Sequence, residues 1–515
     1  MSLSLVGLCL LAIMGVYFGN NPLNHGRWFM VRRFINWLPL GMTYAFLYMG
    51  RYNLTVSKNA LGSMMSNAEF GSIFGVGTVV YGVSFLINGP LVDKIGGKKG
   101  IIIAALGAAF ANILLGVLTY LVVMNRVNLK LAPAFSVIYA LNMYFQSYGA
   151  VSIIKVKAYW FHVRERGVFG AIFGTLISFG TYFAFDWGQA IVSMAKANPQ
   201  GELGWFHKLI QQVFAVDTKP VDATWAVFFI PAAILIVWAL LDWWLIKDTP
   251  EEANFPPFDP HDASSGQMHI ELSTLDLLRK VFASRLMLLV AAIGLTSGVL
   301  RTGIMNWYFL FADQVKQPGT EFYLKHWGGL LVPGLRFNPE NAAAFFEHNW
   351  GLLLCLFGIA GGFLGGFLSD KIFQSRRGPP AALLSGFMFV LAILMAAFLY
   401  SSPLLVGSAA LLITTAVIGV HSLMSGTAAP DFGGRKATAT CSGIVDGFVY
   451  LGAGLQSFSL GALIKQGWIW WPVFLAPFAL LGGIIALMIW HELPAATRKY
   501  ITEVEEKESI ELVPE

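Results

Sequence analysis

Long apolar runs separated by short polar ones dominate the chain, and a helix that crosses a bilayer needs roughly 20 mostly apolar residues. Runs of that length fall near residues 34–56, 69–91, 102–123, 134–158, 168–192 and 223–246. A polar stretch, 247–280, follows, with Pro250, Pro256, Pro257, Pro260 and Ser264-Ser265-Gly266. Six more runs lie near 285–310, 350–370, 380–401, 404–426, 438–464 and 470–491, and a charged tail closes the chain. The pattern predicts an all-α membrane protein with twelve core transmembrane helices. Its divisions are an N-terminal segment and basic loop (1–33), a first six-helix bundle (34–246), a linker (247–280), a second bundle (281–492) and a tail (493–515).

Residues 2–18 form one further apolar run. A cleavable secretory signal places its basic residues before such a run, whereas Arg27, Arg32 and Arg33 come after it. The expectation is an extra N-terminal helix that starts outside and spans; a helix lying along the bilayer surface is the alternative.

Composition agrees with the pattern. Of 515 residues, 56% are hydrophobic and 12% charged, and the mean hydropathy is +0.64. A soluble domain carries about 25% charged residues, so half the usual polar surface is missing. The aromatic share of 14%, with 16 Trp, fits interfacial belts. A formal charge of +5 is no nucleic-acid signal here, because the basic residues sit mostly in short loops. Cys9, Cys355 and Cys441 all lie inside apolar runs, which speaks against a disulfide framework or a metal site. No cofactor is implied. Without a nucleophile–base pair or a phosphate loop, an enzyme is the poorest fit.

Lys and Arg in short loops set the orientation. Lys94, Lys98 and Lys99 follow the second core run, Arg164 and Arg166 the fourth, Lys371, Arg376 and Arg377 the eighth, and Arg435 and Lys436 the tenth. All fall on one side with the linker, which reads as cytoplasmic in a cell membrane. The opposite loops, 193–222 and 311–349, are longer and mixed in charge.

Two of the basic loops repeat each other. Residues 89–99 read GPLVDKIGGKK and residues 366–377 read GFLSDKIFQSRR. Both are Gly-x-x-x-Asp-Lys-Ile followed by paired basic residues, in the loop after the second helix of each half. Two fused related halves predict such a recurrence. Gly89 and Gly366 would allow close helix approach. Asp93 and Asp370 would pair with basic groups or cap a helix start in one conformation only, with Lys94 and Lys371 beside them. Ordinary positive-inside loops are the plainer account. In both copies the signature resembles that of the major facilitator superfamily, over residues 34 to 492. The resemblance implies two pseudo-symmetric bundles rocking about a central site.

An arginine at the bilayer centre costs about 2.5–3.5 kcal/mol on insertion scales and is a functional hypothesis by default. Arg51 lies deep in the first core helix and Arg301 deep in the seventh, the first helices of their halves. Together they cost roughly 5–7 kcal/mol on that scale. Each guanidinium is a planar fork of donors suited to phosphate or carboxylate oxygens, so two forks facing one cavity would hold a small dianion. Otherwise each pairs with a buried acid or snorkels, and Asp446 is the best internal partner.

Lys58, close to two helical turns beyond Arg51, shares its face and either extends the positive track or snorkels. Lys155 and Lys157 point to nearly opposite sides; Lys155 is favoured for the cavity and Lys157 for the interface. Tyr159 lies on the Lys155 face and either donates to the anion or simply packs. Asp446, between Gly443 and Gly447, fits a counter-charge, a ligand for a sugar hydroxyl or a proton carrier. Asp186 reads as a solvated helix end and His421 as a packing histidine. Asn142, Gln146, Asn306 and Trp307 are weaker cavity candidates.

With both arginines placed, the chain resembles the organophosphate:phosphate antiporters. Arg51-x-Asn53, Arg301-x-Gly303-Ile304-x-x-Trp307, Phe145-Gln146-x-x-Gly149 with Lys155, and Asp248-Thr249-Pro250 carry the likeness. Arg51-x6-Lys58 and Ile444-x-Asp446-Gly447 look more like its sugar-phosphate exchangers. Three departures tell against glycerol 3-phosphate: Tyr52 where many members have lysine, Phe173-Gly174 and Ile177-Ser178 in place of Trp-Asn and His-Asn pairs, and Tyr159 where a histidine stands. The resemblance implies that Arg51 and Arg301 bind the phosphoryl group and that transport is exchange of a small phosphorylated organic anion for inorganic phosphate; a monomer is expected. Proton-coupled symport of an organic anion, with Asp446 or His421 titrating, and a membrane sensor of sugar phosphates are the alternatives.

Overall fold

The computed structural model describes residues 2–19, 21, 23–162, 165–195, 224–257, 279, 282–315, 339–374, 376–400, 402–425 and 429–492. The linker beyond residue 257, most of both long loops and the tail lie outside the described residues. Everything regular among the described residues is helical. Before the linker come α1 (Ser2–Gly19), α2 (Arg27–Leu61), α3 (Asn67–Ile95), α4 (Gly97–Val123), α5 (Leu131–Trp160), α6 (Arg166–Tyr182), α7 (Gly188–Ala195) and α8 (Ala226–Leu245). After it come α9 (Arg285–Val315), α10 (Pro339–His348), α11 (Trp350–Phe367), α12 (Gly378–Phe398), α13 (Pro403–Leu423), α14 (Ala429–Leu463) and α15 (Trp470–Met488).

Nine of the described helices are long and apolar enough to cross a membrane: α3, α4, α8, α9 and α11 to α15. The other three expected spans map onto α2, α5 and the α6–α7 pair. α2 carries Arg33, Arg51 and Lys58, and α5 carries Asn142, Gln146 and Lys155, all buried. α2 and α5 thus turn polar side chains inward. α6 stops after 17 residues and continues into α7 through a π-helical turn, Phe183–Trp187.

Local signals explain several helix ends. Ser66 and Glu69 form a reciprocal capping box at the start of α3. Asp248, in the linker's Asp-Thr-Pro, accepts the Lys98 N–H at 2.7 Å and so caps α4. Burial raises the Asp248 pKa.

Between the halves, α3 packs on α14 and α6 on α11. The first seam is sealed by glycine. A Cβ on Gly82 would stand 2.7 Å from the Gly447 carbonyl oxygen, and one on Gly89 3.0 Å from that of Ala439. Gly89 thus permits the close approach expected of it. Gly366 does not: nothing lies within 4 Å of its Cβ position, and its neighbour Gly365 makes the approach, to Gly419.

α1 is tied to the bundle at one end. Tyr17 donates to the Met30 carbonyl at 2.8 Å and accepts from Arg33 Nε at 3.0 Å. Arg33 also grips Glu165 with both Nη atoms, each at 2.9 Å. Burial opposes ionisation of Glu165, but bonds from His25 and Arg33 outweigh it and hold its pKa at about 2. The fork-to-fork geometry is the strong form of an ion pair.

Candidate functional site

Arg51 and Arg301 meet at the centre of the molecule, and tyrosines join them. Arg51 is fully buried. Its Nε donates to Gln146 Oε1 at 3.0 Å, its Nη1 to the Tyr450 hydroxyl at 2.7 Å and its Nη2 to the Tyr81 hydroxyl at 2.8 Å. The guanidinium carbon also lies 4.9 Å from the Tyr48 ring centre and 4.5 Å from that of Tyr81. Arg301 Nη2 donates to the Tyr48 hydroxyl at 2.8 Å. Each arginine therefore reaches a tyrosine of the opposite half: α2 to α14 through Tyr450, and α9 to α2 through Tyr48.

Among the described residues, neither arginine forms an ion pair with a carboxylate. Asp446 is buried nearby, but its carboxylate accepts from the Ser425 hydroxyl at 2.5 Å. It acts on both arginines through space rather than by contact.

An amide network fixes the Arg51 side. Gln146 Nε2 donates to Asn142 Oδ1 at 3.1 Å, so its carbonyl oxygen is the atom left for Arg51. Asn142 Nδ2 donates to the Gly50 carbonyl at 2.8 Å, Asn112 donates to Asn142 at 3.2 Å, and Asn53 to Asn112 at 2.6 Å. The Tyr139 hydroxyl donates to the carbonyl of Arg51 itself at 3.0 Å. Faces of α2, α4 and α5 are thus locked around one guanidinium. Arg301 has no such frame: its Nε is buried and, among the described residues, without a partner. It borders a cavity of about 30 Å³ between α6, α9, α11 and α13. By that measure a water needs roughly 10–15 Å³, so the space holds a water or two.

The other sequence candidates disperse. Lys155 stands on Asp93 instead of the arginines, with Nζ 2.8 Å from Oδ1 and 5.5 Å above the Tyr159 ring. The second Asp93 oxygen accepts the Thr440 N–H at 3.1 Å and its hydroxyl at 2.8 Å. This is a clamp between α3 and α14 at the end that bears the repeated loop. Lys94 and Lys371 are exposed there, and the Asp370 side chain lies outside the described set. Lys58 is buried within the field of Asp313 and Glu69. Asn306 Oδ1 accepts from Thr55 at 3.0 Å, another bond between halves. Trp307 packs edge-on to Phe70, away from the cavity lining.

Asp186 is no solvated terminus. From the π-helical turn it accepts the N–H groups of Gly351 at 2.8 Å and Leu352 at 3.1 Å, capping α11 of the opposite half. Helix starts leave such N–H groups without partners, and Gly351 lets the carboxylate in: a Cβ there would lie 2.7 Å from Asp186 Oδ1. Each end of the molecule is therefore closed by an aspartate of the first half on backbone N–H of the second. Sequence reasoning missed Tyr48, Tyr81 and Tyr450. Tyr48 and Tyr450 were detectable, one helical turn from Arg51 and Asp446 respectively; Tyr81 carries no local signal.

The model for the Major Facilitator Superfamily matches residues 40–457, and the chain belongs to that superfamily. It is 24% identical to the membrane sensor protein UhpC of Salmonella typhimurium over 88% of this chain and 89% of that one. It is 22% identical to a probable hexose phosphate transport protein of Chlamydia trachomatis, over 89% and 91%. A glycerol-3-phosphate transporter of Bacillus subtilis is 24% identical over 83% and 85%. The solved fucose:proton symporter FucP of E. coli covers 88% of this chain with a TM-score of 0.51 at 17% identity, a likeness of fold. The protein is a multi-pass membrane transporter of the major facilitator fold, not an enzyme.

Proposed function

We propose that this transporter exchanges an organophosphate for inorganic phosphate by alternating access, with sugar phosphates favoured over glycerol 3-phosphate. The observation that carries the reading is the meeting of two buried guanidinium groups, from α2 and α9, with tyrosine hydroxyls and, among the described residues, no carboxylate as partners. Hydroxyls satisfy donors but leave the charge uncompensated. A phosphoryl dianion supplies both oxygens and charge. Relatives named for hexose phosphate and glycerol 3-phosphate transport support the cargo class.

In this reading Arg51 and Arg301 hold the phosphoryl group, with Gln146 positioning the first. Asp446 stands by for a hydroxyl of the organic part. The two bundles rock about this point as the Asp93 and Asp186 closures open in turn, and the face bearing the repeated loop is cytoplasmic. Lys155 serves the closure in the state described. The cargo's charge removes the repulsion between the arginines, so an unloaded carrier reorients slowly and exchange becomes obligatory.

Counterflow in proteoliposomes tests this. Uptake of labelled phosphate should require phosphate or an organophosphate inside; efficient net uptake into vesicles free of both rules out obligatory exchange. A second reading has one observation in its favour, the similarity to a membrane sensor. A sensor would bind the sugar phosphate without carrying flux, which the same vesicles reveal.

A further inference from the structure

The paired basic residues of the repeated loop take no part in the closures described above. In the second copy, Arg377 turns to the protein: its Nη1 donates to the Ser369 hydroxyl at 2.6 Å. In the first copy, Lys98 reaches over an indole, with Nζ 5.5 Å from the ring centre of Trp243 near the end of α8. Trp243 is 60% exposed and its neighbour Trp244 78%. Leu240 and Val237 precede them at helical spacing, on the same face, and are exposed too. α8 thus presents an apolar face that ends in tryptophans, the pattern of a helix meeting lipid headgroups.

Cations gather at this end. Lys98 lies in the field of Lys247, just beyond α8, and of Arg32, near the start of α2. Arg32 Nη2 donates to the Leu245 carbonyl at 2.9 Å, which fixes it against α8, and its buried Nη1 has no partner among the described residues. Lys99, exposed, adds a fourth charge. Two carboxylates stand in the same field, and both are committed to backbone. Asp248 Oδ1 accepts the Lys98 N–H at 2.7 Å, and Glu252 Oε2 accepts the Asp248 N–H at 3.0 Å. Positive charge is left in excess. Like charges repel, and an anion seated among them removes that cost.

We propose that the adjoining ends of α2, α4 and α8 form a site for an anionic phospholipid, with its phosphodiester between Lys98 and Lys247 and its acyl chains along the exposed face of α8. Basic pockets between helix ends suit such headgroups. A free phosphate ion would use the lysines but neither the tryptophans nor the apolar face. A zwitterionic headgroup brings an ammonium among cations, where both carboxylates are already engaged. Because Lys247 and Asp248 open the linker, a lipid held here fastens the start of the linker to the bilayer.

This site is separate from the cargo site, so its test needs no flux. The full chain, purified in detergent, is titrated with phosphatidylglycerol or phosphatidylethanolamine, and retained lipid is counted by native mass spectrometry. Phosphatidylglycerol should be retained at concentrations at least about tenfold lower, since each basic residue near the headgroup adds to the attraction. Equal retention of the two lipids overturns the proposal. Lys98→Gln and Lys247→Gln should each weaken phosphatidylglycerol retention by about fivefold, whereas Lys371→Gln, which removes an exposed charge from the other copy of the loop, should change it by less than about twofold. Equal losses in all three variants would reduce the patch to general surface charge and also overturn it. Excess inorganic phosphate should leave the lipid bound; displacement would make a free anion the ligand and refute the lipid assignment. Should Lys98→Gln fail to fold, Lys247→Gln and the comparison of the two lipids on the unaltered chain decide.

Discussion

The two arginines occupy matching helices yet are held in different ways. Arg51 spends all three of its nitrogens on protein acceptors, inside a network that runs through Gln146, Asn142, Asn112 and Asn53. Among the described residues Arg301 bonds through its side chain to Tyr48, and it keeps a buried edge beside the cavity. A symmetric fold has thus been given an asymmetric site. The first half holds its guanidinium fixed; the second leaves Nε of its guanidinium, among the described residues, without a partner. Each still depends on a tyrosine from the other half, so parting the halves breaks both bonds and something must replace them.

Lysine at either position keeps the charge and loses the fork, and counterflow should fall by at least about 100-fold in both Arg51→Lys and Arg301→Lys. The comparison predicts a split in a second measurement. Arg51→Lys should also lower the thermal stability of the purified protein, because three buried acceptors lose their donor, while Arg301→Lys should change it far less. Wild-type flux in either variant, or equal melting temperatures, breaks the contrast.

A smaller effect is expected from Gln146→Leu, which leaves Arg51 Nε unpaired and unfastens Asn142. Loss of a hydrogen bond to a charged group should weaken the apparent affinity for phosphate by about tenfold. An unchanged affinity would mean that the network does not position the arginine.

The smallest effect belongs to Tyr48→Phe. It removes the acceptor of Arg301 but keeps a ring over Arg51. In the proposed exchange cargo oxygens take the place of that phenol, so phosphate affinity should move by no more than about threefold. A larger loss would place the Tyr48 hydroxyl on the cargo itself.

How far the site was readable differs from residue to residue. Arg51 and Arg301 announced themselves, because a charge in an apolar run is rare and costly wherever the chain goes. Lys155 announced itself by the same rule, yet it pairs with Asp93, 62 positions away in the chain. Asp186 looked like a frayed end, and its role comes from the start of a helix in the other half. Tyr81 is one aromatic residue among many in a membrane protein, and only its position opposite Arg51 marks it. Gly366 stands in the repeated motif as Gly89 does, but the close contact falls to Gly365. A repeat preserves local pattern, not the rotation of each helix about its axis.

By itself the sequence determined the solvent, the helical runs, the repeat and the two costly charges. Those follow from the partition of each segment between water and lipid, which depends on local composition alone. The tertiary structure decided which helix faces meet, and hence that tyrosines rather than acids answer the arginines and that aspartates close both ends. Hydrogen bonds demand partners within about 3 Å, and no local rule brings residues 51 and 450 to that distance.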